Sequence, residues 1–498
     1  MSMHIDYTFL TDLYQLTMAQ GYFKTGKTND EACFHMFFRE CPFEGGYAIA
    51  CGTAQLAQVI ESFAFTEEHI AYLASLDAPG GDKLFEADFL EYLASYELSC
   101  DIDAVPEGTV VFPYEPIVRV KGPIAECQIL ETAFLNCVNF ETLIATKASR
   151  ICQAAQGRPV AEFGLRRAQG AAGGIWASRA AYVGGCVSTS NVLAGKLFDI
   201  PVSGTHAHSW VMSFENELEA FRAYAQTFPT NCVLLVDTYD VRQGIENAIL
   251  VGHEMQERGH CLAGVRIDSG DLAWAARLAR AMLDEAGLFD CGVVLSNDLD
   301  EYSVQAILDE GTPVSSWGIG TKLATAYDQP ALGGVYKLSA MRWGKDGPWH
   351  DCLKVSESTA KLTIPGILDI RRYYHTDGCY AGDMIYDEKS GVRSCETIVD
   401  PVDELRRKNL EGLAYTTLLK PLARDGKCLL ADERTRARMA RERAFEQLSY
   451  LDESNRRILN PYAYPVGLEF GLWQRRKDMA AKLRANDRMS HLPQNAAS

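Results

Sequence analysis

Histidine, arginine and carboxylate side chains follow short apolar runs at regular intervals between Pro159 and Met341 of this 498-residue chain. The stretches directly after these runs are Phe163-Gly164-Leu165-Arg166, Gly204-Thr205-His206-Ala207-His208, Asp237-Thr238-Tyr239-Asp240, Arg266-Ile267-Asp268-Ser269-Gly270-Asp271, Ser296-Asn297-Asp298 and Gly318-Ile319-Gly320-Thr321. Carboxylates suit sugar hydroxyls or a metal ion, and turns rich in Ser, Asn, Gly and Thr suit phosphate groups. The pattern therefore predicts a site for a phosphorylated sugar.

The first of these stretches also carries groups that suit a flat organic acid. A planar guanidinium such as that of Arg166 can hold a carboxylate through two parallel hydrogen bonds. Phe163 offers an apolar face to an aromatic ring. Arginines next to each other are usually surface ion-pairing residues, but the position of Arg166 at a strand end favours a pocket for an aromatic acid.

His206 and His208 support two functional interpretations, besides the possibility that a single histidine here is only a hydrogen-bonded residue near the core. In the first, a histidine is oriented by a carboxylate of the next strand end, for which Asp237 is the natural candidate. In the second, the H-x-H pair begins the ligand set of a metal-dependent hydrolase, which needs further ligands. His253 falls in a predicted helix and His260 in a turn, so the sequence offers no obvious third histidine.

The elements that must position these groups repeat one order: an apolar strand, a small or polar turn, and an amphipathic helix. The predicted strands are Pro159–Gly164, Val202–Thr205, Cys232–Asp237, Leu262–Asp268, Gly292–Asn297, Ser316–Thr321 and Val335–Ser339. About seven such units favour an irregular, TIM-like α/β barrel, with catalytic groups at the carboxyl ends of its strands. An open doubly wound sheet is the alternative.

We expect three segments along the chain. Residues 1–155 form an N-terminal α+β domain, residues 156–345 form the catalytic barrel, and residues 346–498 complete the α+β domain and end in a mainly helical tail from about Glu404. The discontinuous domain is expected because strand patterns occur both before and after the barrel.

Composition excludes several classes of function. A formal charge of -18 argues against binding nucleic acid or an anionic membrane through the overall field. No run of about 18 apolar residues predicts a membrane span. The 15 cysteines form no C-x-x-C pair, and the first residues do not resemble a secretion signal, so we expect reduced thiols and a cytoplasmic protein.

Several motifs together resemble one family, the nicotinate phosphoribosyltransferases. The matching stretches are Leu10-Thr11-Asp12-Leu13-Tyr14-Gln15, Phe37-Phe38-Arg39, Gly45-Gly46-Tyr47, Glu162-Phe163-Gly164-Leu165-Arg166-Arg167-Ala168-Gln169-Gly170, Gly204-Thr205-His206-Ala207-His208-Ser209, Val265-Arg266-Ile267-Asp268-Ser269-Gly270-Asp271, Gly318-Ile319-Gly320-Thr321, Gly333-Gly334-Val335-Tyr336-Lys337-Leu338 and Tyr464-Pro465-Val466-Gly467. Together they extend over most of the chain.

This resemblance implies transfer of phosphoribosyl from 5-phosphoribosyl 1-diphosphate to nicotinate, with ATP hydrolysis coupled to the reaction and Mg²⁺ as cofactor. The implied catalytic residues are His208, phosphorylated by ATP, Asp237, which orients it, and Asp268, which also meets the metal. The implied substrate-binding residues are Tyr14, Phe163, Arg166, Thr205, Arg266, Asn297, Gly318, Gly320 and Thr321. A homodimer with shared sites, in which Tyr14 reaches the ring from a second subunit, is also implied.

Two points stay open at this stage. The resemblance assigns no role to His206. A metal-dependent hydrolase built on His206 and His208, or a noncatalytic relative that only binds the metabolites, remains an alternative function.

Overall fold

A computed structural model describes residues 5–355, 362–392, 396–430 and 433–490. The chain divides into two compact units. The first comprises Met1–Thr142, Ala331–Asp432 and Glu446–Ser498, and the second comprises Leu143–Pro330 and Glu433–Phe445.

The strands and helices follow the chain in this order. The strands are β1 Glu31–Phe37, β2 Ala48–Ile49, β3 Asp101–Ala104, β4 Val110–Val111, β5 Val118–Pro123, β6 Val160–Glu162, β7 Ser188–Thr189, β8 Val233–Leu235, β9 Gly264–Ile267, β10 Gly292–Asn297, β11 Ser316–Ile319, β12 Val335–Arg342, β13 His350–Asp351, β14 Leu368–Tyr374, β15 Tyr380–Asp387, β16 Thr397–Val399, β17 Arg407–Asn409, β18 Ala414–Thr417, β19 Lys420–Arg424, β20 Lys427–Cys428 and β21 Val466–Glu469. The helices are α1 Leu13–Lys24, α2 Thr53–Ser62, α3 Glu67–Ser75, α4 Ala87–Ala94, α5 Ile124–Ile129, α6 Glu131–Ala154, α7 Gly170–Val183, α8 Val192–Phe198, α9 His208–Met212, α10 Glu217–Thr227, α11 Val241–Glu257, α12 Leu272–Glu285, α13 Glu301–Asp309, α14 Thr321–Ala324, α15 Glu433–Tyr450, α16 Glu453–Arg456 and α17 Phe470–Ser490. Short 3₁₀ turns form at Pro42–Glu44 and Leu165–Arg167.

The second unit is built on a six-stranded parallel sheet in the order β7-β6-β11-β10-β9-β8. Its first strand to begin along the chain, β6, pairs with its last, β11, and a single bridge joins Thr189 of β7 to Val202. In the described residues no strand pairing joins the Val202 segment to β8. The prediction of repeated β-α units with a parallel sheet is confirmed, whereas hydrogen-bonded closure of a barrel is not observed.

Helix caps account for several of the acidic and amide side chains at the strand ends. The side-chain oxygens of Asn191, Asp240, Asp271 and Asp300 accept hydrogen bonds from the third backbone N–H of α8, α11, α12 and α13, respectively. Each such cap typically stabilises a helix by about 1 kcal/mol. Asp240 and Asp271, noted above for possible chemistry, therefore have a structural role.

The first unit contains two larger sheets and one two-stranded ribbon. Their orders are β13-β12-β1-β5-β3-β19-β20, β17-β16-β21-β15-β14-β18 and β2-β4. One core beneath its N-terminal helices is rich in aromatic side chains, including Phe65, Phe85, Phe89 and Tyr96. Strands from both ends of the chain meet in the first of these sheets, as β19 pairs with β3.

Two expectations about elements were wrong. The strand predicted at Val335–Ser339 is part of β12, which pairs antiparallel with β1 in the first unit instead of extending the parallel sheet. The chain after Glu404 forms β17 to β20 before its helices begin. The first error arises because an apolar or alternating run predicts a strand but not the partner with which that strand pairs. The second arises because β17 to β20 are short and largely exposed, so they carry no apolar run that predicts a strand.

The arginine-rich helix α15 is partly solvated and partly anchored. Arg441 donates to the carbonyl oxygens of Cys186 (3.1 Å) and Gly185 (3.2 Å), and it lies over the rings of Tyr182 and Phe445. Arg438 faces Glu442 across a 3.9 Å exposed pair. No helix among the described residues is both long and apolar enough to cross a bilayer.

Candidate active site

A cavity of about 450 Å³ opens at the carboxyl ends of the parallel strands in the second unit. Its lining is Phe163, Leu165, Arg166, Arg167, Ser190, Gly204, Thr205, His206, Ala207, Arg266, Asp268, Ser296, Asn297, Asp298, Gly318, Gly320 and Thr321. Nine of the twelve residues singled out from the sequence are among them. This size and mixture of apolar and convergent polar groups are typical of a small-molecule site.

The loop that carries Phe163 and Arg166 is fixed by a buried carboxylate. Glu162, 1% exposed, accepts hydrogen bonds from the Gly164 backbone N–H, from Ser178 Oγ (3.0 Å) and from Thr189 Oγ1 (2.6 Å). These partners come from the loop itself, from α7 and from β7. Because each donor satisfies a buried acceptor, the turn that presents the guanidinium is held from three directions.

Close backbone approach explains two glycines at this wall. A Cβ on Gly318 would lie 2.6 Å from Cε2 of the Phe163 ring, and one on Gly164 would lie 2.7 Å from the carbonyl oxygen of Gly320. Real Cβ atoms do not come this close, so neither position accepts a side chain without displacement of its neighbour. The ring of Phe163 therefore packs against the end of β11.

We expect Gly318→Ala to displace the Phe163 ring and to raise the KM for the aromatic substrate by roughly 10-fold, because overpacking of this kind typically costs about 1–3 kcal/mol. Steady-state kinetics with the aromatic acid as the varied substrate measure this. Gly173→Ala is the matched control, since Gly173 lies in α7 with no atom within 4 Å of its added Cβ. An unchanged KM in Gly318→Ala would contradict the assigned ring position.

Two carboxylates and two hydroxyls form a compact cluster on one side of the cavity. Asp268 Oδ1 accepts from Ser296 Oγ at 2.5 Å. Asp237 Oδ2 accepts from the Asp268 backbone N–H at 2.8 Å and from Ser269 Oγ at 2.7 Å. Asp237 Oδ1 is buried and has no hydrogen-bond partner among the described residues. The Asp237 carboxylate thus holds the backbone of Asp268, and its second oxygen, Oδ1, remains as an acceptor that no described residue uses.

His208 begins α9 beside this cluster, and its side chain is 40% exposed. Its Nδ1 lies 3.2 Å from Thr238 Oγ1, and its Nε2 lies 4.0 Å from Asp268 Oδ2. The contacts found for the Asp237 carboxylate are those with Asp268 and Ser269. Thr238 is therefore the hydrogen-bond partner seen for the imidazole, and orientation of His208 by Asp237 stays a prediction.

Arg266 brings a positive charge to the same side. Its Nη2 donates to the His206 carbonyl oxygen at 3.1 Å, and its Nε is buried without a partner among the described residues. Burial lowers the pKa of Arg266, and the charges of Asp268 and Asp237 oppose that effect. The guanidinium stays cationic, because even a lowered arginine pKa lies far above neutrality.

The polar turns after β10 and β11 are tied to each other by an ion pair. Lys322 Nζ donates to Asp300 Oδ2 at 2.5 Å, and this contact with Asp300 raises the pKa of the lysine. Behind them, the buried Glu301 pairs with Lys147 at 2.6 Å and with Arg150 at 2.8 Å. The turns that carry Asn297 and Gly318 to Thr321 are thereby held in fixed register.

His206 is 7% exposed and does not take part in a metal cluster. Its Nε2 accepts a hydrogen bond from the Leu235 backbone N–H at 3.2 Å. Within the described residues, the only group of three potential ligands close enough for one ion is Cys51, Glu107 and Glu141, which lies in the first unit. The H-x-H metal ligand set considered above has no support in this geometry.

Tyr14 lies on α1 in the first unit, where its ring is 48% exposed. Its hydroxyl accepts from Gln15 Nε2 at 3.2 Å, and partial burial raises its pKa. Its proposed contact with the aromatic substrate stays a prediction.

Four residues that shape the site had no individual role assigned from the sequence: Glu162, Thr238, Ser296 and Lys322. Each stands at or next to a predicted strand end, which is the signal that could have identified it. Serine and threonine are so common in turns that type and position alone do not separate a ligand-orienting hydroxyl from an ordinary turn residue.

The fold and the cavity define an α/β protein that gathers cationic, carboxylate and hydroxyl groups at the carboxyl ends of parallel strands. Family models described as the N-terminal domain, the family region and the C-terminal domain of nicotinate phosphoribosyltransferase match residues 9–139, 159–360 and 369–476. The chain belongs to the nicotinate phosphoribosyltransferase family.

Individual relatives agree with this assignment. The nicotinate phosphoribosyltransferase of Bacillus subtilis is 41% identical over 470 residues, which cover 93% of each chain. The human protein of that name is 34% identical over 522 residues, covering 92% of this chain and 94% of the relative. The crystal structure of human nicotinic acid phosphoribosyltransferase superposes with a TM-score of 0.79 at 31% identity, over 95% of this chain and 100% of that one.

Proposed function

We propose that this protein transfers the phosphoribosyl group of 5-phosphoribosyl 1-diphosphate to nicotinate, releasing nicotinate mononucleotide and pyrophosphate as a step of NAD salvage. The observation that carries the proposal is one cavity lined both by Phe163 with Arg166 and by Asp268 with two polar turns. The first pair suits an aromatic carboxylate, and the second set suits a phosphorylated sugar. Family membership supports the same reaction.

The ring of nicotinate would pack on Phe163, and its carboxylate would receive two hydrogen bonds from Arg166. This arrangement fixes the direction in which the ring nitrogen points, because a bidentate pair and a flat contact together leave little rotational freedom. Arg166 would also favour nicotinate over the uncharged amide, since a guanidinium binds an anion more strongly than a neutral oxygen.

The sugar end would occupy the opposite part of the cavity. Asn297, Gly318, Gly320 and Thr321 would surround the 5-phosphate, and Thr205 and Arg266 would meet the diphosphate. As pyrophosphate leaves, positive charge develops on the ribose, and the Asp268 carboxylate is placed to stabilise it. The ring nitrogen then attacks from the opposite face.

Magnesium fits the acidic side of this site. Mg²⁺ prefers oxygen ligands and is usually held by one or two carboxylates together with substrate phosphates. Asp268 and the unpartnered Oδ1 of Asp237 offer such oxygens. When bound, the ion would neutralise charge on the leaving pyrophosphate.

ATP would serve as co-substrate through His208. The imidazole is accessible, and a phosphoryl group on it would add negative charge beside Asp268 and Thr238. Such a change in charge next to the diphosphate end provides a means by which ATP cleavage alters the affinity for substrate or product.

Three wider features belong to the same proposal. The strand order of the parallel sheet, in which β6 pairs with β11, supports an irregular TIM-like barrel that is not closed between Val202 and β8. The exposed Tyr14 is consistent with a homodimer in which it reaches a partner's site. Fourteen described cysteines carry thiol groups, which accords with a cytoplasmic location.

The test is to incubate the purified protein with nicotinate, 5-phosphoribosyl 1-diphosphate, Mg²⁺ and ATP and to quantify nicotinate mononucleotide and pyrophosphate. We expect equal amounts of the two products, and none when Asp268→Asn replaces the wild type. Binding of both substrates without product would indicate a noncatalytic relative. A hydrolytic activity would indicate a metal-dependent hydrolase instead, if chelators remove it and only a transition metal restores it.

A further inference from the structure

We propose that His206, which the family resemblance leaves without a role, is a positioning residue that attaches the His208 segment to the neighbouring strand β8. The inference rests on the proposed function, because it concerns how that reaction's diphosphate and ATP groups are held. His206 holds the segment in place and does not contact the reacting atoms.

The imidazole lies between the two edges of the six-stranded parallel sheet. At one edge, the chain after β7 pairs through the Thr189–Val202 bridge and through the Ser203 N–H to the Thr189 carbonyl oxygen. At the other edge, the Leu235 N–H of β8 donates to His206 Nε2 at 3.2 Å. A side chain thus takes the place of the missing strand partner and satisfies a buried donor.

Packing and protonation both suit this task. The ring lies 4.7 Å from the Tyr224 ring in an edge-on contact, and it also approaches Phe221. Nδ1 lies 3.4 Å from the Ala207 carbonyl oxygen, so a proton on Nδ1 leaves Nε2 free to accept from Leu235. Burial lowers the pKa of His206 to about 4, which keeps the ring neutral at neutral pH.

The backbone of the same residue holds a second group of the site. The His206 carbonyl oxygen accepts from Arg266 Nη2 at 3.1 Å and from Thr205 Oγ1 at 3.2 Å. His208 begins α9 two residues later. Loss of the bond to Leu235 would therefore loosen both the guanidinium that meets the diphosphate and the imidazole that meets ATP. Phe163 and Arg166 lie on a different loop and would be unaffected.

The test compares four variants with the wild type. His206→Leu introduces an apolar side chain of similar size and removes the acceptor. His206→Gln replaces the nitrogen acceptor with an amide oxygen that can reach the Leu235 N–H. His206→Asn carries the same amide on a side chain too short to reach it. Tyr224→Leu, the matched control, removes ring packing from the same wall and leaves the hydrogen bond intact.

We expect His206→Leu and His206→Asn to raise the KM for 5-phosphoribosyl 1-diphosphate by roughly 10-fold. The reason is that the buried Leu235 N–H loses its acceptor, and the free-energy cost typical of such a loss corresponds to about this factor in affinity. The ratio of ADP to mononucleotide should fall in parallel, with the KM for nicotinate within about twofold of wild type. His206→Gln should restore both values substantially. Melting temperatures, measured alongside, identify any variant that does not fold, in which case the Gln and Asn pair carries the comparison.

Four results would overturn the inference, of which the first three are an unchanged KM for the diphosphate in His206→Leu or His206→Asn, equal losses in Tyr224→Leu, and a Gln variant no better than Asn. A rise in the KM for nicotinate equal to that for the diphosphate would also overturn it. Failure of the proposed function is separate, because it would show as absence of mononucleotide in the wild type.

Discussion

Replacing Arg166 by Ala is expected to raise the KM for nicotinate by roughly 30- to 150-fold, the range that corresponds to losing about 2–3 kcal/mol from charged hydrogen bonds. The physical reason is that the Arg166 guanidinium lines the cavity beside Phe163 and can pair with a carboxylate through two hydrogen bonds. The value of kcat should change much less, because the carboxylate contact is the same before and during the reaction. Initial rates with varied nicotinate measure both quantities.

Two further variants sharpen this result. Arg166→Lys keeps the charge but not the planar fork, so its KM should lie between those of the wild type and Arg166→Ala. Arg277→Ala removes one arginine from the same unit, at a position where Arg277 pairs with Glu310 on the exposed surface, and should leave the KM unchanged. Equal affinity for nicotinate in wild type and Arg166→Ala would remove the carboxylate assignment.

Replacing His208 by Ala is expected to abolish the coupling between ATP cleavage and product formation. The rate of ATP hydrolysis should fall by on the order of 10³-fold or more, because the variant lacks the imidazole that we propose as the acceptor of the phosphoryl group. A slower, ATP-independent transfer should persist, since Phe163, Arg166 and Asp268 are untouched. The measurement is the ratio of ADP to nicotinate mononucleotide at several ATP concentrations.

His253→Ala is the matched control for this experiment. His253 is exposed on α11, where its Nδ1 lies 3.4 Å from Gln256 Oε1, so its removal should leave the ratio unchanged. Thr238→Val removes the hydroxyl seen beside His208 Nδ1 and should lower the ATPase rate by a smaller factor, roughly 10-fold. A ratio of ADP to mononucleotide in His208→Ala equal to that of the wild type would contradict the phosphohistidine assignment.

The family and most lining residues could be predicted from the sequence because the signals that encode them are local. A strand followed by a polar turn and an amphipathic helix is readable over about 25 residues, and parallel strands of one sheet place their carboxyl ends at one edge. Phe163, Arg166, Arg266 and Asp268 accordingly line one cavity, as their positions after strands indicate.

Contacts between distant residues were decided by the tertiary structure. The sequence pattern at Val335–Ser339 is the same as that of the predicted strands of the parallel sheet. The segment nevertheless belongs to a sheet of the first unit, because it pairs antiparallel with β1. Asp237 accepts a hydrogen bond from the Asp268 backbone N–H, and Thr238 Oγ1 lies within hydrogen-bond distance of His208 Nδ1.

The sequence by itself thus determined the class of fold, the family and the chemical types gathered at the strand ends. Only the tertiary structure decided which strand joins which sheet, where the parallel sheet ends, and that His206 accepts a hydrogen bond from Leu235 of the edge strand β8. The reason is that residue type and periodicity are properties of short segments, whereas a hydrogen bond between residues 29 positions apart depends on how whole elements pack.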